Sequence, residues 1–273
     1  MEESDVLKFY GSESMVLSGL FTTLRNNFTY EFWLKAEQPI RVHREAWEGI
    51  AGIYGQRYIV GPEYIKRRDE AAIGLSAGNN GISVYEHADN HMQAVLVFKA
   101  NLSDWTHVAV VYHEKTPHLY LNGRWVRAGM TSGRASIFAS NLIGGHPYGH
   151  FAGCVKELRI WRGARSGDQI RTMMNTKLSC MEDGLYWYWN ADQGVAVCCG
   201  EKREIDVSVV IPSHNRFPLN RLGLHTLARQ TFPSSRMEVV FLDDASTDAT
   251  PTVFNQFDPP FLLKRIRAES NLG

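Results

Sequence analysis

Residues 105–126 read Trp105-Thr106-His107-Val108-Ala109-Val110-Val111-Tyr112-His113-Glu114-Lys115-Thr116-Pro117-His118-Leu119-Tyr120-Leu121-Asn122-Gly123-Arg124-Trp125-Val126. The first eight are a β-branched and aromatic strand. The next run, His118 to Leu121, reaches Asn122-Gly123, the strongest short-range hairpin signal, before Arg124-Trp125-Val126 returns. Working outward, Phe28 to Lys35 alternates, with Phe28, Tyr30, Phe32 and Leu34 on one face and Thr29, Glu31, Trp33 and Lys35 on the other, so one side faces a core. Val155 to Trp161 alternates again, and Leu185-Tyr186-Trp187-Tyr188-Trp189 is an aromatic-rich strand. From Val6 to Trp189 short strands are broken by Gly, Asn and Asp turns, with one short helix expected over 166–174 behind a polar cap. Many short strands without βαβ alternation predict an all-β antiparallel jelly-roll sandwich over residues 5–195.

The punctuation changes after Gly194, and residues 196–205 read as a linker. Asp206-Val207-Ser208-Val209-Val210-Ile211-Pro212 has the near-continuous apolar run of a parallel strand buried on both faces. A helix is expected from Pro218 to about Thr231, with Leu219, Leu222, Leu224 and Leu227 near helical spacing, although Gly223 weakens it. Glu238 to Leu242 reads as a second strand, Thr247 to Phe257 as a second helix and Phe261 to Ala268 as a third strand. That order, βαβαβ, makes residues 206–273 a partial α/β segment with a parallel sheet.

Bulk properties exclude several roles. Lys+Arg and Asp+Glu both number 29, so no overall field draws the chain to nucleic acid. No window approaches the roughly 18 apolar residues of a membrane span. The start, Met1-Glu2-Glu3-Ser4-Asp5, has neither the basic region nor the apolar core of a signal peptide, so a cytoplasmic protein is expected. Cys154, Cys180, Cys198 and Cys199 lack metal-ligand spacing and are expected to be reduced. Gly74-Leu75-Ser76-Ala77-Gly78 spells a nucleophile elbow, but Asn79-Asn80-Gly81 follows instead of a helix, so it reads as a turn between strands. His87 and His91 are separated by turn-like Ala88-Asp89-Asn90, which argues against a metal pair.

The first domain resembles the laminin-G-like, concanavalin A-like jelly rolls. The resemblance is carried by Leu7 to Gly11, Phe28 to Lys35, Trp105 to Tyr112, Leu119 to Gly123, Ile143-Gly144-Gly145 and Phe151 to Trp161 in that order. It implies a fold whose members bind carbohydrate or protein partners, sometimes through calcium, or serve as spacers. Lys156 stands just before Glu157 where this family often has an acidic residue, and no compact Asp/Asn cluster marks a calcium loop. Trp47, Tyr54, Tyr58 and Tyr64 lie in the loop-rich stretch 41–70. Two readings stand there: exposed rings that stack on sugar faces, or rings that pack an irregular loop.

The second segment resembles the amino-terminal part of a family 2 glycosyltransferase of GT-A, Rossmann-like type. Val207 to Arg216 matches the first strand and nucleotide loop, Leu227 to Thr231 the end of the first helix, Leu242 to Asp248 the second strand and its acidic loop, and Glu269 to Gly273 the following turn. Both loops leave the carboxyl ends of neighbouring parallel strands, where open α/β sheets bind ligands. The resemblance implies a nucleotide-binding set of Pro212, His214, Asn215, Asp243, Asp244 and Asp248. Asp244 reads the base, Pro212 and His214 line it, and Asp243 or Asp248 supports the loop. His214 replaces the tyrosine often found there. The other reading of the three aspartates is a strand-end turn followed by a helix cap.

A GT-A transferase also needs a later acidic motif for a divalent cation, Mn or Mg, and a general base in inverting members. Neither is matched within these residues, so no catalytic or metal ligand is assigned, the cation is expected only in a full-length enzyme, and the chain alone is expected to be inactive. The expected function is the front of a modular glycosyltransferase taking a nucleotide sugar, UDP-type by resemblance, towards a glycan or protein acceptor. The alternative is a carbohydrate- or protein-binding module with a non-catalytic remnant.

Overall fold

The computed structural model describes residues 6–17, 23–65, 69–180, 182–189, 206–251, 261–268 and 270–271. The expectations for residues 196–205, Cys198, Cys199, most of the Thr247–Phe257 helix, and Glu269, Leu272 and Gly273 lie outside them. The chain forms two compact units, Met1–Gly200 and Glu201–Gly273.

The first unit holds β1 (Leu7–Tyr10), β2 (Met15–Val16), β3 (Phe28–Ala36), β4 (Tyr58–Gly61), β5 (Glu70–Gly78), β6 (Gly81–Ala88), β7 (His91–Phe98) and β8 (Thr106–His113). It continues with β9 (Thr116–Leu121), β10 (Arg124–Ala128), β11 (Ser136–Phe138), β12 (Leu142–Ile143), β13 (Gly145–His146), β14 (Gly149–His150), β15 (Ala152–Arg162), α1 (Gly167–Met173) and β16 (Leu185–Trp189). One sheet runs β1-β15-β3-β8-β9-β10, with β16 also paired to β15; the other runs β13-β14-β4-β5-β6-β7, with β11 on β5 and β12 joining β2 to β4. The result is a jelly-roll-like, mostly antiparallel sandwich. The β9–β10 hairpin forms as its sequence requires: Asn122 and Gly123 have φ of 49° and 73°, the left-handed pair of a type I′ turn. Ser166 caps α1 through a reciprocal bond pattern with Gln169.

The core is built by alternation. Phe28, Tyr30, Phe32 and Leu34 of β3 and Val108, Val110 and Tyr112 of β8 meet Ile73 and Leu75 of β5 and Ile82 and Val84 of β6, all without solvent exposure. Each such aliphatic or aromatic side chain contributes about 1.5–3 kcal/mol on burial. Glu86 points into this core on the same face of β6. Its Oε2 accepts the Ser132 hydroxyl at 2.7 Å, and burial pushes the carboxyl up to about 7.

A folded-state pKa raised above the unfolded value of 4.5 stabilises the fold below pH 4.5 and loses that contribution as pH rises through 7. Glu86→Gln mimics the protonated acid. It is expected to stabilise the sandwich relative to the parent at pH 8, by on the order of 3 kcal/mol, with the difference vanishing towards pH 4.5. Paired thermal melts across that range check this.

The structure corrects the expectation for the second face of β3. Thr29 and Glu31 are also fully buried, because the chain from Gly163 through α1 to Leu178 packs over that face, with Ile170 against Ala109 and Val111 and Leu178 against Trp161 and Tyr188. Glu31 meets Arg165 Nε at 3.0 Å and lies 3.9 Å from both Arg159 Nη1 and His107 Nε2. Arg159 is held further by Glu157 Oε2 at 2.8 Å and by the Met173 and Thr176 carbonyls. The Arg165 guanidinium lies 3.7 Å over the Trp161 ring. Burial, then Arg159, pushes His107 down to about 3, so it packs as a neutral ring. A second correction concerns Gly74 to Gly78, which is strand β5 and not a turn; Ser76 Oγ accepts the Arg57 backbone N–H at 2.9 Å.

In the second unit, β17 (Val207–Ser213), β18 (Met237–Asp243) and β19 (Leu262–Arg267) form a parallel sheet in that order, with α2 (Phe217–Leu227) between β17 and β18 in sequence. Leu224, Met237, Val239, Phe241 and Phe261 are its buried cluster. β17 was expected to be buried on both faces. It instead edges the described sheet, with Val209 and Ile211 turned to the cluster and Val210 exposed. An edge position is what tolerates Pro212, which has no N–H for a second ladder. The helix is also corrected: Leu224 and Leu227 face the sheet beside Asn220, whereas Leu219 and Leu222 are 64% and 65% exposed, because 220, 224 and 227 make the i, i+4, i+7 stripe. Among the described residues no helix is long and apolar enough to cross a membrane.

Candidate functional site

At the carboxyl ends of β17 and β18 the chain leaves the sheet twice, and the two loops are locked together. Asn215 makes the lock. It adopts a left-handed φ of 51°, which Asn tolerates well. Its backbone N–H donates to Ser246 Oγ at 2.9 Å, and its Oδ1 accepts the backbone N–H groups of Thr247 at 2.7 Å and Asp248 at 3.2 Å. His214 reaches across to the Asp244 carbonyl through Nδ1 at 2.6 Å. A carbonyl only accepts, so Nδ1 carries the proton. Nε2 then accepts from the amides of Asn215 at 3.0 Å and Asn271 at 3.3 Å, which fixes the neutral tautomer and the ring plane.

The three aspartates divide their work. Asp243 Oδ1 accepts the Ser246 N–H at 3.0 Å, and Oδ2 lies 3.5 Å from Arg267 Nε, so this buried carboxylate ties the acidic loop to β19. Asp248 Oδ2 accepts the Phe217 N–H at 2.9 Å at the start of α2, and Oδ1 accepts the Thr250 N–H. Bonding to Thr250 holds its carboxyl below the usual range. Asp244 is half-buried, its N–H bonded to the Ser213 carbonyl at 2.8 Å, and Pro212, near the end of β17, is exposed. The turn-and-cap geometry read as the alternative for these aspartates thus describes Asp243 and Asp248.

Asn215→Ala removes the acceptor shared by Thr247 and Asp248. Exchange of those two amides is expected to rise by about tenfold or more in hydrogen-exchange NMR. Unchanged protection would mean the acidic loop holds itself.

On the sandwich, Trp47, Tyr54 and Tyr64 are exposed rings, at 62%, 53% and 49%. Tyr58 corrects the expectation: it is fully buried, its hydroxyl donating to the Gly52 carbonyl at 2.6 Å, because the 3-10 turn Ala51–Ile53 covers it. Sequence reasoning missed His146 and Tyr148, which crowd the same face. The Gly145-His146-Pro147-Tyr148-Gly149-His150 run, two aromatic or imidazole rings between glycines, was the available signal. No group of three or more His, Cys, Asp or Glu among the described residues is placed to hold a metal ion. Glu157, the residue nearest the family's acidic position, is engaged by Arg159 and the Tyr188 hydroxyl.

Residues 11–171 match the family model of the concanavalin A-like lectin/glucanases superfamily. The chain belongs to that superfamily. Behind its lectin-like domain, residues 208–273 match the model of glycosyl transferase family 2 and form a partial segment of that fold. This segment is 36% identical over 66 residues to the poly(ribitol-phosphate) beta-N-acetylglucosaminyltransferase TarS of Staphylococcus aureus, covering 24% of this chain and 12% of that protein. It is 43% identical over 63 residues to validoxylamine A glucosyltransferase of Streptomyces hygroscopicus subsp. jinggangensis, covering 23% and 15%. The chain therefore spans only a small part of the length of these relatives.

Among solved structures, the lectin-like domain is similar to a protein from Bacteroides ovatus described as carbohydrate binding, at 20% identity and a TM-score of 0.42, covering 67% of this chain and 52% of that one. It is also similar to a pentraxin from Limulus polyphemus, at 15% identity and a TM-score of 0.42, covering 67% and 86%. Membership of the superfamily rests on the family match over residues 11–171.

Proposed function

We propose that the C-terminal unit binds the nucleoside diphosphate of a UDP-type nucleotide sugar on behalf of a glycosyltransferase, and that the lectin-like domain engages a glycan or protein acceptor. The observation that supports this is the interlock of the two loops at the carboxyl ends of β17 and β18, in which the His214 ring is pinned to the Asp244 carbonyl. A carboxylate there accepts the imide N–H of uracil, while Pro212 and the His214 ring cover the base face. Asp243, Asp248 and Asn215 act behind them by holding the loops in register. The likeness to two transferases of N-acetylglucosamine and glucose supports a hexose-type donor.

The divalent cation that such transferases use to bind the diphosphate has no fitting cluster among the described residues. We assign no step to it, and nucleotide binding is the activity proposed for these residues. Isothermal titration with UDP, ADP and GDP tests the reading. Preference for UDP is expected; equal affinity for all three would contradict base reading by Asp244.

A further inference from the structure

The outward face of β5 carries only small residues where it crosses beneath the rings of its neighbours. Ala72 and Gly74 alternate with the core-facing Ala71, Ile73 and Leu75. A Cβ on Gly74 would stand 2.6 Å from Pro62 and 2.9 Å from Tyr58. That missing bulk lets rings from β4, β6 and the β13–β14 hairpin converge. Tyr58 and Tyr85 meet edge-on at 5.9 Å, and His146 stands 6.2 Å from Tyr58 and 5.8 Å from His87, perpendicular to both. Above this floor two tyrosines contact the same imidazole: Tyr64 at 5.4 Å from His87, and Tyr148 at 6.1 Å from His87 and 4.8 Å from His146. Rings that served packing alone would be covered, yet Tyr64 and Tyr148 are 49% and 39% exposed. Tyr64 is held in place by its hydroxyl, which donates to Asp89 Oδ1 at 3.0 Å.

The two imidazoles are complementary. His87 Nδ1 contacts the Pro62 carbonyl at 2.8 Å, so Nδ1 is the protonated nitrogen and Nε2 is left as an acceptor. His146 Nδ1 receives the Tyr148 backbone N–H at a longer 3.4 Å, which leaves Nε2–H as a donor. Burial keeps both neutral; for His146 the neighbouring His87 and His150 add to it and push its pKa down to about 4. A donor and an acceptor side by side, flanked by exposed tyrosine faces over an apolar floor, match the vicinal hydroxyls and the C–H face of a pyranose.

We propose that Tyr64, His87, His146 and Tyr148 form a subsite for a neutral pyranose on the outer face of the second sheet. This rests on the reading of the lectin-like domain as the glycan-engaging unit, and it moves the site away from Trp47 and Tyr54 to the β13–β14 hairpin. Saturation-transfer NMR on the full chain, with cellotetraose and chitotetraose as probes, tests it. At least one of them is expected to bind. Tyr148→Ala and His87→Gln should each weaken binding by about tenfold or more, Tyr148→Phe should retain it, and Trp125→Ala, which removes an exposed ring of β10, should leave it unchanged.

Tyr148 sits at an exposed hairpin tip, so its alanine variant tests binding without a buried ring being lost. No binding of either probe, or binding that survives both substitutions, would overturn the subsite. The two outcomes are distinguishable: binding that survives both substitutions sinks the subsite alone, whereas no binding of either probe counts also against the glycan reading on which it rests.

Discussion

Asp244→Ala is expected to lower UDP affinity by about a hundredfold, beyond ready detection, while the C-terminal sheet stays folded. A hydrogen bond to a charged acceptor is worth about 1.5–3 kcal/mol, and losing it leaves the imide N–H of the base unpaired in the cleft. Asp243→Ala should behave differently. It frees the Ser246 amide and removes the partner of Arg267, so it is expected to lower stability together with affinity. Asp244→Asn keeps an acceptor oxygen and should retain part of the binding. Calorimetry paired with amide NMR spectra separates these outcomes; equal UDP affinity in Asp244→Ala and the parent would remove Asp244 from the base-reading role.

Arg165→Ala is the second large effect, this time on stability. Arg165 gives Glu31 its shortest ion pair and covers Trp161; removing one partner of a buried pair costs about 3–5 kcal/mol, and Arg159, 3.9 Å from Glu31, offsets only part of the charge left behind. In a domain of this size that lowers the melting temperature by roughly 10 °C. The pH dependence carries a sign. Burial already lifts Glu31 to about 7 against the pull of Arg165 and Arg159, and losing Arg165 lifts it further. A raised folded-state pKa contributes stability below the unfolded value of 4.5 and loses it as pH rises through 7. The cost of Arg165→Ala is therefore greatest above pH 7 and shrinks towards pH 5 as Glu31 takes a proton. A Glu31→Leu, Arg165→Met pair should recover much of the stability, and a double-mutant cycle measures the coupling.

What the sequence disclosed follows from how local each determinant is. Asn122-Gly123 fixes its hairpin through two backbone angles, and Ser166 with Gln169 fixes the start of α1; both are short-range chemistry and both are legible. The alternation of β3 placed Phe28 to Leu34 on a core face correctly. It did not disclose that Thr29 and Glu31 are buried too, because their cover arrives from residues more than a hundred positions later and is partly polar. Tyr58 was misread for a different reason: composition marked 41–70 as loop-rich, but did not disclose that the nearby Ala51–Ile53 turn folds back over the ring. The acidic loop was legible as a motif, since Asp243, Asp244 and Asp248 fall where strand ends and helix caps both favour Asp. The bonds that Asp243 and Asp248 make to Arg267 and Phe217 were not, because those partners reach them from other parts of the fold. His87 is far in sequence from His146 and Tyr148, and it meets them over the small residues of β5.

The central claim is that the loops after β17 and β18 read a uridine nucleotide. A titration of the ¹⁵N-labelled 273-residue chain with UDP, followed by amide chemical shifts, tests it most directly. The account predicts saturable shifts at Ser213, His214, Asn215, Asp244, Ala245 and Ser246, with the amides of the lectin-like domain unmoved. An unchanged spectrum, or shifts confined to the lectin-like domain, would contradict it.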